Sequence, residues 1–320
     1  MRRVFPLVVL LAGAISVPSA AVGQGYPAKP IRVIITAGPG SACDTMTRLI
    51  GQKVGERLGQ GFIVDNRPGA GGMLGVEIAA RMPPDGHNIA CAQAGSLVVV
   101  PHTYKKLPYD PLKDFAPIAL LAPSYLALVI HPSAPFRSVK ELIAYAKANP
   151  GKLAFASDGE AALIHLSTER FRLQAGFTYL HVPYKTGIYT ALMSGQVDAT
   201  ITSFSSMYPH VKAGKLRMLA ITRPTRAPNH PDIPTVAETL PGFAAGGWFG
   251  FIAPATTPGA IVTLLNREIN RAMGRPDVRE RMISLGLDIV TESPEFFGDT
   301  IRSDYAKYGK LVRAIGFKPQ

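Results

Sequence analysis

The feature that most constrains the fold of this chain is a repeated alternation of short apolar strands with amphipathic helices. Ile31–Ile35 is rich in β-branched residues and leads through a glycine turn into a helix that begins near Asp44. Two further strands are predicted over 61–65 and 89–94, with a glycine-rich loop and a helix over 73–81 between them. This order predicts an α/β fold whose mainly parallel sheet is covered by helices on both faces.

A second unit of the same kind follows. Its alternating helices and strands are predicted over residues 138–148, 153–157, 161–174, 177–182, 189–194, 197–202 and 216–222. The chain then ends in one strand and three helices, predicted over residues 248–253, 258–273, 276–285 and 294–315. Because this last block has almost no sheet of its own, it must pack on a lobe already built.

The order of elements therefore predicts two lobes with a cleft between them. We assign residues 26–130 together with 250–320 to lobe I and residues 131–249 to lobe II. The chain must then cross between the lobes twice, near 128–132 and near 248–254. Two crossovers side by side make a hinge about which the lobes can close on a ligand.

Residues 1–23 have the pattern of a secretory signal peptide. Arg2 and Arg3 precede an apolar run over 4–17, and Ser19, Ala21 and Gly23 supply small residues for cleavage after Ala21 or after Gly23. The run of about 14 residues is shorter than the roughly 20 that a membrane-spanning helix needs. We expect export to the periplasm and a mature chain large enough for two domains.

Charge and composition narrow the class of partner. The formal net charge is +12, but lysines and arginines are scattered singly and do not alternate with aromatic residues, so nucleic acid is not an expected partner. A positive field favours the approach of an anion. The histidines are isolated from one another and from Cys43 and Cys91, so neither a metal site nor another cofactor is expected.

Candidate binding residues lie where predicted strands end and helices begin. In open α/β sheets, ligands bind beyond the carboxyl ends of strands, where free N–H groups and the helix dipole favour a carboxylate. Five loops supply the candidates, which are Ala37, Gly38, Gly40, Ser41, Asp44, Gln93, Ser96, Ser157, Gly159, Ala161, Ala162, His165, Tyr184, Thr202 and Ser203.

Several of these candidates have simpler interpretations. Gly38 and Gly40 fit a tight turn, and Asp44 fits a helix cap whose charge would otherwise repel an anion. His165 fits packing or the orientation of a loop, and Tyr184 fits an exposed position. The convergence of five loops is stronger support than any one of them.

Catalytic interpretations of the same loops lack their motifs. A dinucleotide site needs Gly-x-Gly-x-x-Gly, but Gly38 and Gly40 are followed by Cys43 at the third glycine position. Neither a Gly-x-Ser-x-Gly elbow nor a pair of carboxylates on one helix face is present in these loops. We predict a binding protein without catalytic residues; a ligand sensor or a secreted enzyme that uses the same cleft is the alternative.

Several longer motifs resemble one known family. They are Tyr-Pro-Ala-Lys-Pro-Ile at 26–31, Asp-Asn-Arg-Pro-Gly-Ala-Gly-Gly at 65–72, Leu-Pro-Tyr-Asp-Pro at 107–111, His-Val-Pro-Tyr-Lys at 181–185 and Gly-Gln-Val-Asp at 195–198. The chain resembles the Bug, or TctC, family of periplasmic solute-binding proteins of tripartite tricarboxylate transporters. This resemblance implies a two-lobed type II periplasmic-binding fold, a small carboxylate ligand, and delivery by a monomer to a membrane permease of one large and one small subunit.

The chain departs from the family pattern in the candidate site. Where the family usually has glycine and threonine in the first loop, this chain has Ser41 and Cys43, and Leu97 replaces a frequent histidine. Ala161 and Ala162 replace a glycine and a hydroxyl residue in the second-lobe loop. Loss of a hydroxyl partner from a charged ligand costs about 1.5–3 kcal/mol. We therefore expect a monocarboxylate or an aromatic acid rather than citrate.

The two cysteines have two interpretations. Two residues do not make a disulfide framework, and a pair of small buried apolar residues is the favoured interpretation for Cys43 and Cys91. By the resemblance, both belong to lobe I, where a disulfide behind the pocket is the alternative, since an oxidising compartment permits it.

Overall fold

The computed structural model describes residues 25–160, 162–184, 187–284 and 287–319. The predicted signal peptide at 1–23 and the candidate residue Ala161 lie outside this part of the chain. The strands of the described part are β1 (Ile31–Ile35), β2 (Phe62–Asn66), β3 (Asn88–Gln93), β4 (Phe115–Ile130), β5 (Ala154–Ser157), β6 (Leu180–Pro183), β7 (Ala199–Ser203), β8 (Arg217–Ile221) and β9 (Gly246–Pro254). Its helices are α1 (Ala42–Leu58), α2 (Met73–Ala80), α3 (Val139–Ala148), α4 (Leu163–Ala175), α5 (Ile188–Met193), α6 (Phe204–Lys212), α7 (Gly259–Met273), α8 (Pro276–Ser284) and α9 (Pro294–Ala314).

The strands form two sheets that share β4. In the first sheet the order is β2-β1-β3-β9-β4, and in the second it is β4-β7-β5-β6, with β8 also paired to β4. Pairing is parallel within each α/β unit, but β9 runs antiparallel to both β3 and β4, and β4 runs antiparallel to β7 and β8. The sheets are therefore mixed rather than mainly parallel, because the strand that leaves the first sheet and the strand that returns to it run in opposite directions.

Strand β4 connects the two sheets. Its residues from Phe115 to Tyr125 pair with β9, and its residues from Leu126 to Ile130 pair with β7 and β8. The change of sheet lies between Tyr125 and Leu126, ahead of the predicted lobe boundary after residue 130. Gly246, the first residue of β9, pairs with Tyr125, so the return also begins ahead of the predicted boundary at residue 250.

Strand β4 and helix α6 were not predicted from the sequence, because both contain proline. Strand β4 contains Pro117 and Pro123, which cannot donate to a ladder, but over this stretch β4 is the edge of the first sheet and tolerates them. Its register against β9 shifts between Pro117 and Ala119 and between Leu120 and Ala122. Helix α6 contains Pro209 and starts directly from the end of β7.

Buried side chains cover both faces of each sheet. On one face of the first sheet, α1, α7 and α8 bury Met46, Leu265 and Met282, and on the other face α2 and α9 bury Val76 and Phe297. Two further clusters, around Phe155 and Phe204, cover the two faces of the second sheet. The three C-terminal helices thus pack on the first sheet. In the described ranges, no helix is both long and apolar enough to span a bilayer.

The crossing of β4 and β9 requires glycine at Gly246. This residue has φ +141°, and a Cβ there would overlap the backbone carbonyl oxygen of Ser124. We expect Gly246→Ala to lower the free energy of unfolding by at least about 2 kcal/mol, because both backbone strain and a clash with main chain oppose it. Urea unfolding followed by circular dichroism measures this loss.

Gly259→Ala is the matched control for this substitution. Gly259 begins α7, is exposed, and its Cβ would meet no atom within 4 Å. Alanine at a helix start should leave stability unchanged or slightly higher. Equal stabilities for the two variants would show that close approach at the crossing does not constrain the fold.

Candidate ligand-binding cleft

A cleft of about 870 Å³ opens where β4 and β9 cross. We call the part lined by loops of the first sheet the first wall; its residues include Gly40, Ser41, Ala42, Ala70, Gly71, Gln93 and Gly95. We call the part lined by loops of the second sheet the second wall; its residues include Asp158, Gly159, Glu160, Ala162, Ser203, Ser205 and Ser206. The crossing strands form its floor with Ser124, Tyr125, Gly247 and Trp248.

The first wall is built on the start of α1. Ser41 is the N-cap, and its Oγ accepts from the Asp44 backbone N–H at 3.3 Å. The Asp44 carboxylate turns back into the loop, where it accepts from the Gly40 N–H at 3.0 Å and from Arg48. Burial alone would raise the pKa of Asp44, but hydrogen bonds from Arg48, Gly40 and Asn66 outweigh it and lower the pKa. Asp44 therefore supports the loop and does not line the cleft.

The second contribution to the first wall comes from the end of β3. Gln93 and Gly95 line the cleft, whereas Ser96 is fully buried behind them. The Ser96 hydroxyl donates to the Gln93 carbonyl oxygen at 2.8 Å, and the Tyr109 hydroxyl donates to the Ser96 carbonyl oxygen at 2.6 Å. These bonds fix the turn so that its backbone faces the cleft.

A disulfide joins the two parts of the first wall. Cys43, in the first turn of α1, is bonded to Cys91 of β3, with their Cα atoms 5.9 Å apart. Both residues are buried, and Cys43 also lines the cleft. The structure thus has the bridge behind the pocket, and the favoured interpretation of two unpaired buried residues was wrong. The two cysteines meet because strand β3 lies directly behind the start of α1 in the folded chain.

We expect this bridge to stabilise the folded chain by about 3–4 kcal/mol, because it closes a loop with a sequence separation of 48 residues in the unfolded state. Denaturant unfolding with and without reductant should show this loss in the wild type. A Cys43→Ala/Cys91→Ala variant should be insensitive to reductant. If intact-mass measurement after alkylation showed two free thiols in the unreduced protein, the bridge would be excluded.

Behind the second wall lies a stack of two imidazoles. The rings of His165 and His181 are stacked, with their centroids 3.8 Å apart and their planes nearly parallel, and His181 Nε2 is 2.6 Å from Ser157 Oγ. Glu169 lies 4.0 Å from His165 and is held by Tyr179 at 2.6 Å and by Arg172. Ser157 is 1% exposed and does not line the cleft, so this serine–histidine pair is not a nucleophile that a ligand can reach.

The stack fixes the second-wall loop and keeps both imidazoles neutral. Ser157 Oγ also donates to the Gly159 carbonyl oxygen at 3.1 Å, which ties the network to a residue of the wall. Burial and the neighbouring His181 lower the pKa of His165 to about 4, and burial lowers the pKa of His181. His165 therefore orients a loop rather than facing the cleft.

This stack makes stability depend on pH. The unfolded imidazole takes a proton near pH 6.5, whereas His165 in the folded state resists one until about pH 4. The folded state should therefore lose up to about 3 kcal/mol of stability from this group as pH falls from 6.5 to 4. Urea unfolding at pH 7.5 and pH 5 should show a smaller loss for His165→Gln than for the wild type. His210→Gln, a half-exposed histidine of α6, is the control and should keep the wild-type loss.

Two acidic residues face the cleft from the second wall, and neither was predicted. Asp158 and Glu160 flank Gly159 in the loop after β5 and line the cleft. Asp158 is exposed in the open cleft, but reduced hydration beside the protein raises its pKa to about 6, against the opposing effect of its own N–H and that of Ile164. Their acidity was the available signal in the sequence, but glycine and hydroxyl residues are the ones expected at an anion site.

The remaining candidates divide between the wall and the layer behind it. Predicted residues on the cleft surface are Gly40, Ser41, Gln93, Gly159, Ala162 and Ser203. Predicted residues that do not line it are Ala37, Gly38, Asp44, Ser96, Ser157, His165, Tyr184 and Thr202. Tyr184 donates its backbone N–H to the Ser157 carbonyl oxygen at 2.9 Å, and Thr202 is fully buried. The floor residues, and Ser205 and Ser206 at the start of α6, were not predicted from the sequence.

Backbone groups dominate the polar character of the cleft. Among the lining residues that the structure describes there is no lysine, arginine or histidine. Helices α1, α4 and α6 all begin at the cleft, and the N-cap residues of α4 and α6 provide no side-chain cap. Free N–H groups at helix starts bind anions without a basic side chain. In the same described ranges, no three His, Cys, Asp or Glu side chains cluster to hold a metal ion.

Both the sequence and the fold of this chain are similar to those of known proteins. Residues 46–317 match the family profile described as the tripartite tricarboxylate transporter family receptor, TctC. The chain belongs to the TctC family. The UPF0065 protein in the tcbD–tcbE intergenic region of Pseudomonas sp. (strain P51) is 38% identical over 293 residues, covering 90% of this chain and 87% of the relative.

Solved structures show the same fold. R. palustris Rpa4515 with adipate is 30% identical and superposes with a TM-score of 0.83, covering 92% of this chain and 100% of that one. MatC from Rhodopseudomonas palustris with bound malate is 29% identical, with a TM-score of 0.78, covering 90% of this chain and 100% of that one. The predicted family and the two-lobed type II periplasmic-binding fold are confirmed.

Proposed function

We propose that this TctC protein captures a small organic acid with one carboxylate, such as an aliphatic or aromatic monocarboxylate, and delivers it to a two-subunit membrane permease. The observation that carries the proposal is a cleft in which three helices begin and whose described lining has no basic side chain. Family membership and the carboxylate-bound relatives support the ligand class. The protein works as a periplasmic monomer, exported by its first 23 residues.

The carboxylate binds at the first wall. The Asp44 N–H donates to Ser41 Oγ, and the Thr45 N–H donates to the Ser41 carbonyl oxygen. The N–H groups of Ala42 and Cys43, which begin the helix, are therefore the ones available to an anion. The dipole of α1, a helix of 17 residues, adds a positive potential at this point. Gln93 supplies an amide on the same wall.

The rest of the ligand meets an apolar and aromatic surface. Val99, Val100, Trp248 and Phe249 lie along the cleft, and Leu163 lies on the opposite wall. An alkyl chain or aromatic ring buried against these side chains contributes roughly 25 cal/mol per Å². Such a surface offers few partners for the further carboxylates of citrate. Closure about β4 and β9 then completes the enclosure.

A ligand screen tests this proposal. Protein stripped of copurified ligand by unfolding and refolding is heated with hexanoate, benzoate, adipate and citrate, and hits are measured by titration calorimetry. We expect a monocarboxylate to raise the melting temperature by at least about 3 °C, because ligand that binds only the folded state stabilises it. Stabilisation by citrate with none by hexanoate or benzoate would contradict the proposed ligand class. Chemical change of the bound acid, followed by NMR, would identify an enzyme instead.

Gly95→Leu tests the place of binding. Gly95 lines the first wall, and a Cβ there would meet no atom within 4 Å, so the larger side chain projects into the cleft without disturbing the empty protein. We expect loss of ligand stabilisation at an unchanged melting temperature of the free protein. Gly259→Leu, at an exposed glycine outside the cleft, is the control and should bind as the wild type does.

A further inference from the structure

We propose that Asp158 decides which acids the cleft accepts, because it places a carboxylate of the protein where the second carboxylate of a dicarboxylic acid would reach the second wall. The inference rests on the proposed function and names the residue that limits its ligand class. Asp158 is thus a specificity-determining residue of the cleft.

Asp158 belongs to the second wall of the cleft. It follows the end of β5 and lines the cleft on the second wall. The backbone N–H of Ile164, in the first turn of α4, is directed at its carboxylate. The N-cap residue Ala162 has no polar side chain, so the anion position at the start of this helix is filled by the protein itself.

The described lining of the cleft has no positive charge that could compensate the Asp158 carboxylate. Glu160 adds another carboxylate to the same wall, and none of the described residues that line the cleft is basic. Arg223 approaches the floor, with its guanidinium 5.2 Å from the centre of the Tyr125 ring, but it is paired with Asp288. Within the described part of the chain, a ligand carboxylate brought to this wall would therefore face two like charges and no cation on the cleft lining.

The Asp158 side chain is exposed within the open cleft, yet its surroundings disfavour negative charge. Reduced hydration beside the protein raises its pKa to about 6, even with two N–H groups directed at it. At neutral pH the carboxyl is ionised, and a second anion would add repulsion in the same partly desolvated space. The first wall, with the free N–H groups of α1, has no acid on its surface in the described part of the cleft. The first wall thus accommodates one ligand carboxylate, and the second wall repels another.

Asp158→Asn separates charge from hydrogen bonding. Asparagine keeps an oxygen that can accept from the Ile164 N–H but removes the negative charge. If Asp158 only capped α4, the substitution would affect all ligands alike. If its charge excludes a second carboxylate, the substitution should favour dicarboxylates selectively.

Matched acids provide the measurement. Hexanoate and adipate differ by a second carboxylate at the far end of the same chain, as do benzoate and terephthalate. Titration calorimetry at pH 7.5 should show the wild type binding the monocarboxylate of a pair at least about tenfold more tightly than the dicarboxylate. In Asp158→Asn this ratio should fall to about threefold or less through a gain in dicarboxylate affinity. Asp299→Asn, an exposed acid on α9, is the control and should keep the wild-type ratio.

The possible results separate the two proposals. If the wild type binds an acid of either pair but its ratio is near one, or if the ratio persists in Asp158→Asn, the role of Asp158 is refuted while carboxylate capture stands. Equal weakening of both acids in Asp158→Asn would identify it as a structural cap only. If the wild type binds none of the four acids, the proposed function fails with it. Melting temperatures of the free variants confirm that each comparison is made on folded protein.

Discussion

The antiparallel pairing of β4 with β9 is the interaction on which the cleft depends. The two strands run side by side from Phe115 and Pro254 to Tyr125 and Gly246, and at that last pair β4 leaves the first sheet for the second. Because these strands also form the floor of the cleft, any change in their twist moves both walls. The end of the pair is anchored by α9, where the Tyr308 hydroxyl donates to the Gly246 carbonyl oxygen at 2.5 Å and Trp248 Nε1 donates to Asp304 at 3.1 Å.

Side chains and backbone groups have different roles around this cleft. Polar side chains just behind the walls hold the loops: Asp44 and Ser96 do so on the first wall, and Ser157 with the stacked His165 and His181 does so on the second. Their hydrogen-bonding capacity is used within the protein, and the N–H groups of Ala42 and Cys43 at the start of α1 remain for the ligand. The disulfide from Cys43 to Cys91 reinforces the first wall where α1 begins. The charges left on the cleft surface in the described part of the chain are acidic, which is what distinguishes the two walls chemically.

Much of the secondary structure could be predicted from the sequence because each element carries its own signal. The β-branched run of β1, the apolar spacing along α7 and the glycine after α1 act locally, and these elements lie within a few residues of their predicted bounds. Strand β4 and helix α6 could not be predicted in this way, because their prolines are tolerated only through tertiary context. Pro117 and Pro123 lie where β4 is a sheet edge, and Pro209 lies inside a helix whose buried side chains pack with those of β4 and β8.

The sequence by itself determined the family, the α/β class and the loops that surround the ligand space, because long motifs and strand-end glycines are local features. Only the tertiary structure decided which residues of those loops face the cleft. Ser157, Thr202 and Asp44 have the chemistry of ligand partners, yet packing turns them into the protein, while Asp158 and Glu160 face outward. The pairing of Cys43 with Cys91 was likewise decided by the placement of α1 on β3. Side-chain direction depends on contacts between residues far apart in the chain, and a strand-and-helix pattern contains no record of them.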